Sequence, residues 1–232
     1  MDVSSVLSSA WELYRRFFAR FVVTAAVVYV VLDFLGAAAS SAGDDAGAAF
    51  WILLSFLLSI IGVFWVQGAL AEAVRDVRDG RVDLPVSELY SRTRPRLPAL
   101  ITAGILAGIG IALGLVLLIV PGLYLLTRWA LIVPVIVLEG RRAGEAFGRS
   151  WELVKGNGWS VLGLVLLTFV GVAIASAVIG ALFSWLPTFL GTWIGGVIAH
   201  SLTVPFAACA LTLAYYRLLE LKEATPAPAP DE

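Results

Sequence analysis

Six stretches of this sequence are apolar around the whole circumference of the helix that each would form, and the charged residues are concentrated between them. Each stretch is long enough to cross about 30 Å of hydrocarbon as a helix, and none has the alternating pattern of a barrel strand. The pattern predicts an all-α polytopic membrane protein, with one domain over 1–223 and a disordered tail over 224–232. The six predicted transmembrane helices lie at about 21–39, 48–71, 97–119, 122–138, 161–183 and 192–215.

Shorter amphipathic segments precede the first, third and fifth of these spans. Ala10–Tyr14 (AWELY) recurs as Ser150–Val154 (SWELV), and Ser87–Tyr90 (SELY) is a weaker copy. Because each copy precedes a pair of spans on the same side, we predict three parallel repeats of an amphipathic helix plus a helical hairpin. The segments either lie at the membrane interface, with tryptophan among the headgroups, or pack against another part of the protein. Their interfacial motif is Trp11, Glu12, Trp151 and Glu152.

Glycine and proline positions predict how the spans pack and bend. Small-residue pairs four positions apart allow two helices to approach closely in lipid. Pro134 and Pro205 predict kinks in the fourth and sixth spans, and Pro121–Gly122 predicts a tight turn between the third and fourth. No span is expected to be broken at its centre. The glycine pairs are Gly104/Gly108, Gly110/Gly114 and Gly191/Gly195.

The composition agrees with a chain that has lipid as its main solvent. Hydrophobic residues make up 60% of the 232 residues, charged residues make up 14%, and the mean hydropathy is +0.93. Soluble domains average about 45–50% apolar and about 25% charged residues, so an ordinary water-soluble enzyme is excluded. A single cysteine and a single histidine exclude an intramolecular disulfide and a multi-histidine metal site, and we expect no cofactor.

The basic residues indicate how the chain is oriented. Of the sixteen, all but Arg128 lie before the first span, after the sixth, or in the second-to-third and fourth-to-fifth connections. The positive-inside rule therefore predicts cytoplasmic termini. The excess of Arg over Lys, with abundant Ala, Gly and Val, indicates a bacterial inner membrane. A cleaved signal peptide over the first span is an alternative, although Asp33 would interrupt its apolar region.

Two charged residues lie inside the predicted spans. Arg128 and Asp33 fall at comparable depths near the middle of the membrane, where an arginine costs about 2.5–3.5 kcal/mol unless it is compensated. We predict that Arg128 and Asp33 form a buried pair. Alternatively, Arg128 donates to carbonyls freed near Pro134, extends outward to the headgroups, or serves a ligand or ion.

Three further polar residues are candidate positions. His200, in the outer half of the sixth span, is either a hydrogen-bonding residue of the bundle or a proton relay. Gln67 lies toward the inner end of the second span. Glu139 ends the fourth span, either as a solvated cap or as a partner of Arg141, Arg142 or lipid amines.

A dense motif lies between Val120 and Gly158, with looser extensions at Ala10–Tyr14 and Tyr215–Tyr216. It consists of Pro121-Gly122, Arg128, Pro134, Leu138-Glu139-Gly140, Ala146, Ser150-Trp151-Glu152-Leu153 and Gly156. Through this motif the chain resembles the membrane domain associated with bacterial glycerophosphoryl diester phosphodiesterases. The end departs from that pattern, because Arg217-Leu218 stands where an acidic residue and then Leu-Arg are usual.

The resemblance implies that, in some relatives, a soluble phosphodiesterase barrel with catalytic histidines and metal-binding carboxylates follows the membrane domain. Here His200 is intramembrane and only a short tail follows the sixth span, so we do not carry diesterase activity over to this chain. The sequence also contains no Gly-rich phosphate loop, no HExxH helix and no GxSxG turn. We therefore expect that the protein is not an enzyme.

Two functions remain open from the sequence. We expect a non-enzymatic integral membrane protein that organises the membrane, or binds lipids or a partner membrane protein, through its basic cytoplasmic face. Anionic headgroups attract such a face by about 1 kcal/mol per basic residue, whereas no nucleic-acid partner is expected. The alternative is a small transporter or channel with a polar path near Arg128. The oligomeric state is left open.

Overall fold

The computed structural model describes residues 1–41, 46–78 and 80–224, which contain helices and no strands. A 3₁₀ turn at Arg94–Arg96 precedes α5. The helices are α1 (Val3–Arg16), α2 (Phe18–Ser41), α3 (Ala46–Val77), α4 (Val86–Thr93), α5 (Leu97–Leu117), α6 (Ile119–Arg128), α7 (Ile132–Glu139), α8 (Ala143–Val154), α9 (Gly158–Leu182) and α10 (Thr188–Glu223).

The long apolar helices account for the six predicted spans. α2, α3, α5, α9 and α10 each have the length and hydropathy needed to cross a membrane, and α6 and α7 together form the fourth span. The prediction of an all-α protein with six potential transmembrane helices is confirmed. Apart from Ala224, the predicted tail over 224–232 lies outside the described residues.

The fourth span is broken near its centre, contrary to the expectation from the sequence. α6 ends at Arg128 and α7 begins at Ile132. Pro134 lacks an N–H, and its ring excludes the carbonyl four residues earlier from helical pairing, so the predicted kink takes the form of an interruption just before it. In contrast, α10 continues through Pro205 without a break.

The turn between the third and fourth spans lies slightly earlier than predicted. Leu118 has an extended backbone (φ −159°, ψ 137°) and separates α5 from α6. Pro121 lies in the first turn of α6, where a missing N–H leaves no hydrogen bond unmade. The prediction of a turn at Pro121–Gly122 is therefore wrong, because both residues are compatible with the start of a helix.

The buried core lies at one end of the bundle. It is formed by the first two thirds of α2, the last third of α3, the start of α5, α7, the start of α9 and the second half of α10. The short helices α1, α4 and α8 pack on it. At the other end, the side chains that remain exposed are large and apolar, as a surface facing lipid tails requires. They include Phe50, Leu53, Phe56, Val116, Val120, Val170 and Ile174.

The short helices pack in a cyclic order. α4 packs against α3, α8 packs against α7, and α1 packs against α10. Each short helix therefore covers the second span of the preceding hairpin, and the first short helix covers the last span. Corresponding positions are buried in the first and third copies of the motif. Ala10 and Ser150 are both fully buried, and so is Val154, while its counterpart Tyr14 is 5% exposed.

α1 and α8, the two short helices with a tryptophan motif, each bury one face against the rest of the protein. This is the packing that was the alternative to an interfacial position. Trp11 is 54% exposed and Trp151 is 36% exposed, while Glu12 and Glu152 face away from the core. Their placement at a membrane interface stays a prediction, which the exposed tryptophans support.

Candidate functional site

Arg128 is the last residue of α6, at the interruption of the fourth span. Its guanidinium carbon lies 5.0 Å from the centroid of the Tyr124 ring and 4.8 Å from that of Trp151. Both rings are thus within the range of cation–π attraction. The Nη1 atom is buried and has no hydrogen-bond partner among the described residues.

The predicted pair between Arg128 and Asp33 does not form. α6 packs against α5, α9 and α8, whereas α2, which carries Asp33, packs against α10 and α3. Equal depth along two spans is therefore not enough, because these spans belong to different parts of the bundle. The guanidinium instead lies beside Trp151 of α8, an amphipathic helix.

Ser150 provides hydrogen-bond partners for the backbone groups at the interruption. Its buried hydroxyl donates to the carbonyl of Arg128 at 2.7 Å and accepts from the N–H of Leu131 at 3.3 Å. From the sequence, Ser150 could be assigned only to a motif and a helix face. A polar residue on the buried face of α8 was the signal that could have shown this role, since buried polar groups are paired.

A groove opens beside Arg128 between α6 and the start of α9. Its volume is about 510 Å³, and Arg128 is the charged residue in its wall. Trp159 lies at the edge of the groove and is 88% exposed. The Thr127 hydroxyl donates a hydrogen bond to the carbonyl of Leu123 at 2.7 Å. We call this cavity the Arg128 groove. It is lined by Val120, Leu123, Tyr124, Thr127, Arg128, Gly156, Gly158, Trp159 and Leu162.

Asp33 pairs with His200 instead. His200 Nδ1 lies 2.9 and 3.0 Å from the two carboxylate oxygens, and the imidazole stacks on Tyr29 with ring centroids 4.9 Å apart. Gly196 allows this approach, because a Cβ there would lie 3.0 Å from the Asp33 carboxyl carbon. Both residues were candidates from the sequence, but their pairing was not predicted.

Gln67 and Glu139 occupy different environments. Gln67 lines a cavity of about 230 Å³, beside Pro134 and Thr212. Glu139 accepts from Arg141 at 2.9 Å, Arg149 at 3.0 Å and the Tyr215 hydroxyl at 3.0 Å. It is therefore a link between α7, α8 and α10 rather than a solvated cap. Of the two arginines expected beside it, Arg141 is a partner.

No cluster of three or more metal-ligating side chains occurs in the described ranges. The architecture is that of a polytopic helical membrane protein, with its polar groups held at helix contacts.

Comparison with known proteins identifies the family. The family model for the membrane domain of glycerophosphoryl diester phosphodiesterase matches residues 93–221. Because the match covers more than half of the chain, the protein belongs to this family. The matched range runs from the end of α4 to the last turn of α10 and contains Arg128, Ser150 and Tyr215. Neither the curated proteins nor the solved structures contain a match.

Proposed function

We propose that this protein is a non-catalytic membrane protein that holds a membrane lipid in the Arg128 groove. The observation that carries the proposal is a largely apolar groove on the side of the bundle, with one cationic group in its wall. A site for a small polar ligand would need several polar groups converging on it. Apolar walls beside a single cation suit an amphiphile with an acyl chain.

The chemistry of the groove favours binding over cleavage. Among the described residues, no histidine, cysteine or carboxylate lines it. An arginine cannot act as a proton-transferring base, because it stays protonated in proteins. A lipid in the groove would thus be held without being hydrolysed. Protein-dependent release of a headgroup from phospholipid vesicles would overturn this part of the proposal.

The basic face is a weaker candidate for lipid binding. Many of its arginines already contact carboxylates of the same chain, and this neutralisation reduces the attraction to anionic headgroups. The ion pairs are Arg20–Asp76, Arg75–Glu72, Arg96–Glu72, Arg78–Glu220, Arg92–Glu88, Arg141–Glu139, Arg149–Glu139 and Arg217–Glu220.

Photocrosslinking in nanodiscs tests the groove directly. The nanodiscs would contain phosphatidylglycerol and phosphatidylethanolamine, each with a diazirine in the acyl chain, and labelled peptides would be mapped. We expect labelling at 120–128 and 156–162. Leu162→Trp should reduce it by filling the groove, whereas Leu167→Trp on the lipid-facing side of α9 should not. Two results would count against lipid binding in the groove. One is labelling of the groove that is no stronger than labelling around Phe56, which lies on the exposed apolar surface. The other is labelling of the groove that does not change in Leu162→Trp.

We further infer that three repeated units form a ring in a bacterial inner membrane, with both termini cytoplasmic. The cyclic packing of α4, α8 and α1 supports the ring, and the placement of the basic residues supports the orientation. A reporter fused after Arg78 should be active only on the cytoplasmic side. A periplasmic reporter there would reverse the orientation.

A second candidate function is transport. It is favoured by the interruption of the fourth span and by the cavity beside Gln67. If the lipid is moved rather than held, proteoliposomes should make inner-leaflet NBD-phosphatidylglycerol accessible to dithionite faster than protein-free vesicles do. Equal rates would exclude movement of this lipid.

A further inference from the structure

Arg128 differs from the other arginines of similar burial. Five arginines in the described part of the chain are neither fully exposed nor fully buried. Arg20 contacts Asp76, Arg75 and Arg96 contact Glu72, and Arg149 contacts Glu139. Arg128 contacts no carboxylate among the described residues. Within the described ranges it is therefore a partly buried cation without a carboxylate counter-ion.

The two aromatic rings do not replace a counter-ion. Tyr124 and Trp151 attract the guanidinium through their ring quadrupoles, but a ring carries no net charge. The guanidinium donors point outward in its plane, and Nη1 is left without an acceptor in a site removed from solvent. A buried donor without an acceptor is unfavourable, and an anion in the groove would supply the missing hydrogen bond.

The surroundings of Arg128 indicate what kind of anion fits. Apolar side chains line the groove beside the guanidinium, so the anion is expected to be attached to an acyl chain. Gly156 and Gly158 border the same groove, and a Cβ built at either position meets nothing within 4 Å. There is thus open space for a headgroup at the end of the groove that adjoins the arginine-rich connection.

We propose that the occupant of the Arg128 groove is an anionic phospholipid whose phosphate is the counter-ion of Arg128. This inference rests on the proposed lipid-binding function and specifies its ligand. Two phosphate oxygens match the paired donors of a guanidinium. A headgroup with a net charge of −1, as in phosphatidylglycerol, neutralises Arg128. The ammonium of phosphatidylethanolamine instead cancels the charge of its own phosphate.

The test compares two lipids on the intact protein. Nanodiscs would contain equal amounts of phosphatidylglycerol and phosphatidylethanolamine, with the diazirine on only one of them in each sample. We expect the groove peptides to be labelled about fivefold more by phosphatidylglycerol, the effect of one basic residue attracting a headgroup with a net negative charge. Inorganic phosphate at millimolar concentration should leave this labelling unchanged, because the acyl chain contributes to binding. Displacement by phosphate would overturn a lipid as the source of the anion.

Variants separate the role of Arg128 from general attraction to the membrane surface. Arg128→Gln should abolish the lipid preference, and Arg128→Lys should retain part of it, because a lysine keeps the charge but loses the paired donors. Arg142→Gln, which removes an exposed charge at the start of α8, should leave the preference unchanged. If Arg128→Gln fails to fold, the Arg128→Lys variant and the two-lipid comparison still decide.

The possible failures are distinguishable. Equal labelling of the groove by both lipids in the unmodified protein would overturn the phosphate counter-ion while leaving lipid binding intact. An unchanged preference in Arg128→Gln would overturn the role of Arg128. No labelling of the groove by either lipid would overturn the proposed function itself.

Discussion

Glu72 shows how a carboxylate is accommodated inside this bundle. Its side chain is completely buried on α3, yet two arginines reach it. Arg75 comes from the same helix, and Arg96 approaches from the start of α5 with Nη1 2.6 Å from Oε1. Both arginines remain partly exposed, so each can contact the buried carboxylate and solvent at the same time. A buried carboxylate with two such partners can join α3 to α5.

We predict that Glu72→Gln destabilises the protein by about 2 kcal/mol, because removing the buried carboxylate leaves Arg75 and Arg96 without their ion-pair partner. The loss stays at this size because both arginines are partly exposed to solvent. Thermal unfolding in detergent would measure the effect. Glu88→Gln is the control, since its pair with Arg92 lies on the surface of α4 and should matter by less than about 0.5 kcal/mol. Equal shifts for the two variants would contradict the assignment.

Polar residues within spans could be found from the sequence, but their partners could not. Asp33, Arg128 and His200 stand out because charged and imidazole groups are rare in apolar helices. Which of them meet depends on how distant helices pack, and Asp33 and His200 are 167 positions apart. Depth along the helix suggested Asp33 with Arg128, whereas packing joins Asp33 to His200.

At the scale of elements, close packing of α5 and α6 depends on two glycines. A Cβ on Gly114 would lie 2.9 Å from the backbone N and Cα of Gly122. Small residues at such a crossing allow van der Waals contact between backbones, which stabilises helix pairs in lipid. Gly114 was one of the predicted packing glycines, and this role is confirmed. At Gly108, from another predicted pair, a Cβ would meet nothing within 4 Å.

We expect Gly114→Ala to destabilise the protein by about 1–3 kcal/mol, because a methyl group must displace backbone in a close contact. Gly108→Ala on the same helix should be neutral or slightly stabilising, since alanine favours the helix and meets open space. Thermal unfolding midpoints of the two variants would be compared in the same detergent. A larger loss for Gly108→Ala would show that the α5–α6 crossing is placed wrongly.

The interruption between α6 and α7 joins local and tertiary effects. Pro134 was a visible signal that the fourth span would bend. The backbone groups freed by the break need hydrogen-bond partners, because lipid offers none. Ser150 of α8 supplies them. The sequence could therefore indicate where the helix is weakened, whereas the packed structure shows what makes the break tolerable.

For the whole molecule, the contact between α1 and α10 closes the cyclic arrangement. The Tyr14 hydroxyl donates to the carbonyl of Leu202 at 2.9 Å, and its ring lies edge-on to Phe206. Burial raises the pKa of Tyr14 to about 12. This contact joins the first short helix to the last span, so it reports on the packing of α1 against α10.

We predict that Tyr14→Phe costs about 1 kcal/mol at neutral pH through the lost hydrogen bond. In the unfolded chain a tyrosine ionises near pH 10, below its folded pKa. The stabilisation by neutral Tyr14 is thus complete below about pH 10 and is lost as the pH rises toward 12. Unfolding measured from pH 8 to pH 11 should show a shallower loss of stability in Tyr14→Phe. Parallel pH profiles for the two proteins would contradict a buried Tyr14.

Hydropathy, helix length and the distribution of arginine were sufficient to determine six potential spans and an all-helical fold, because burial in lipid acts on each segment separately. The tertiary structure alone decided the cyclic packing of the short helices, the Asp33–His200 pair and the repair of the fourth span by Ser150. It also placed Arg128 beside an apolar groove, with no carboxylate partner in the part of the chain that the structure describes. These features depend on contacts between helices far apart in the chain, and no local pattern of residues specifies which helices become neighbours.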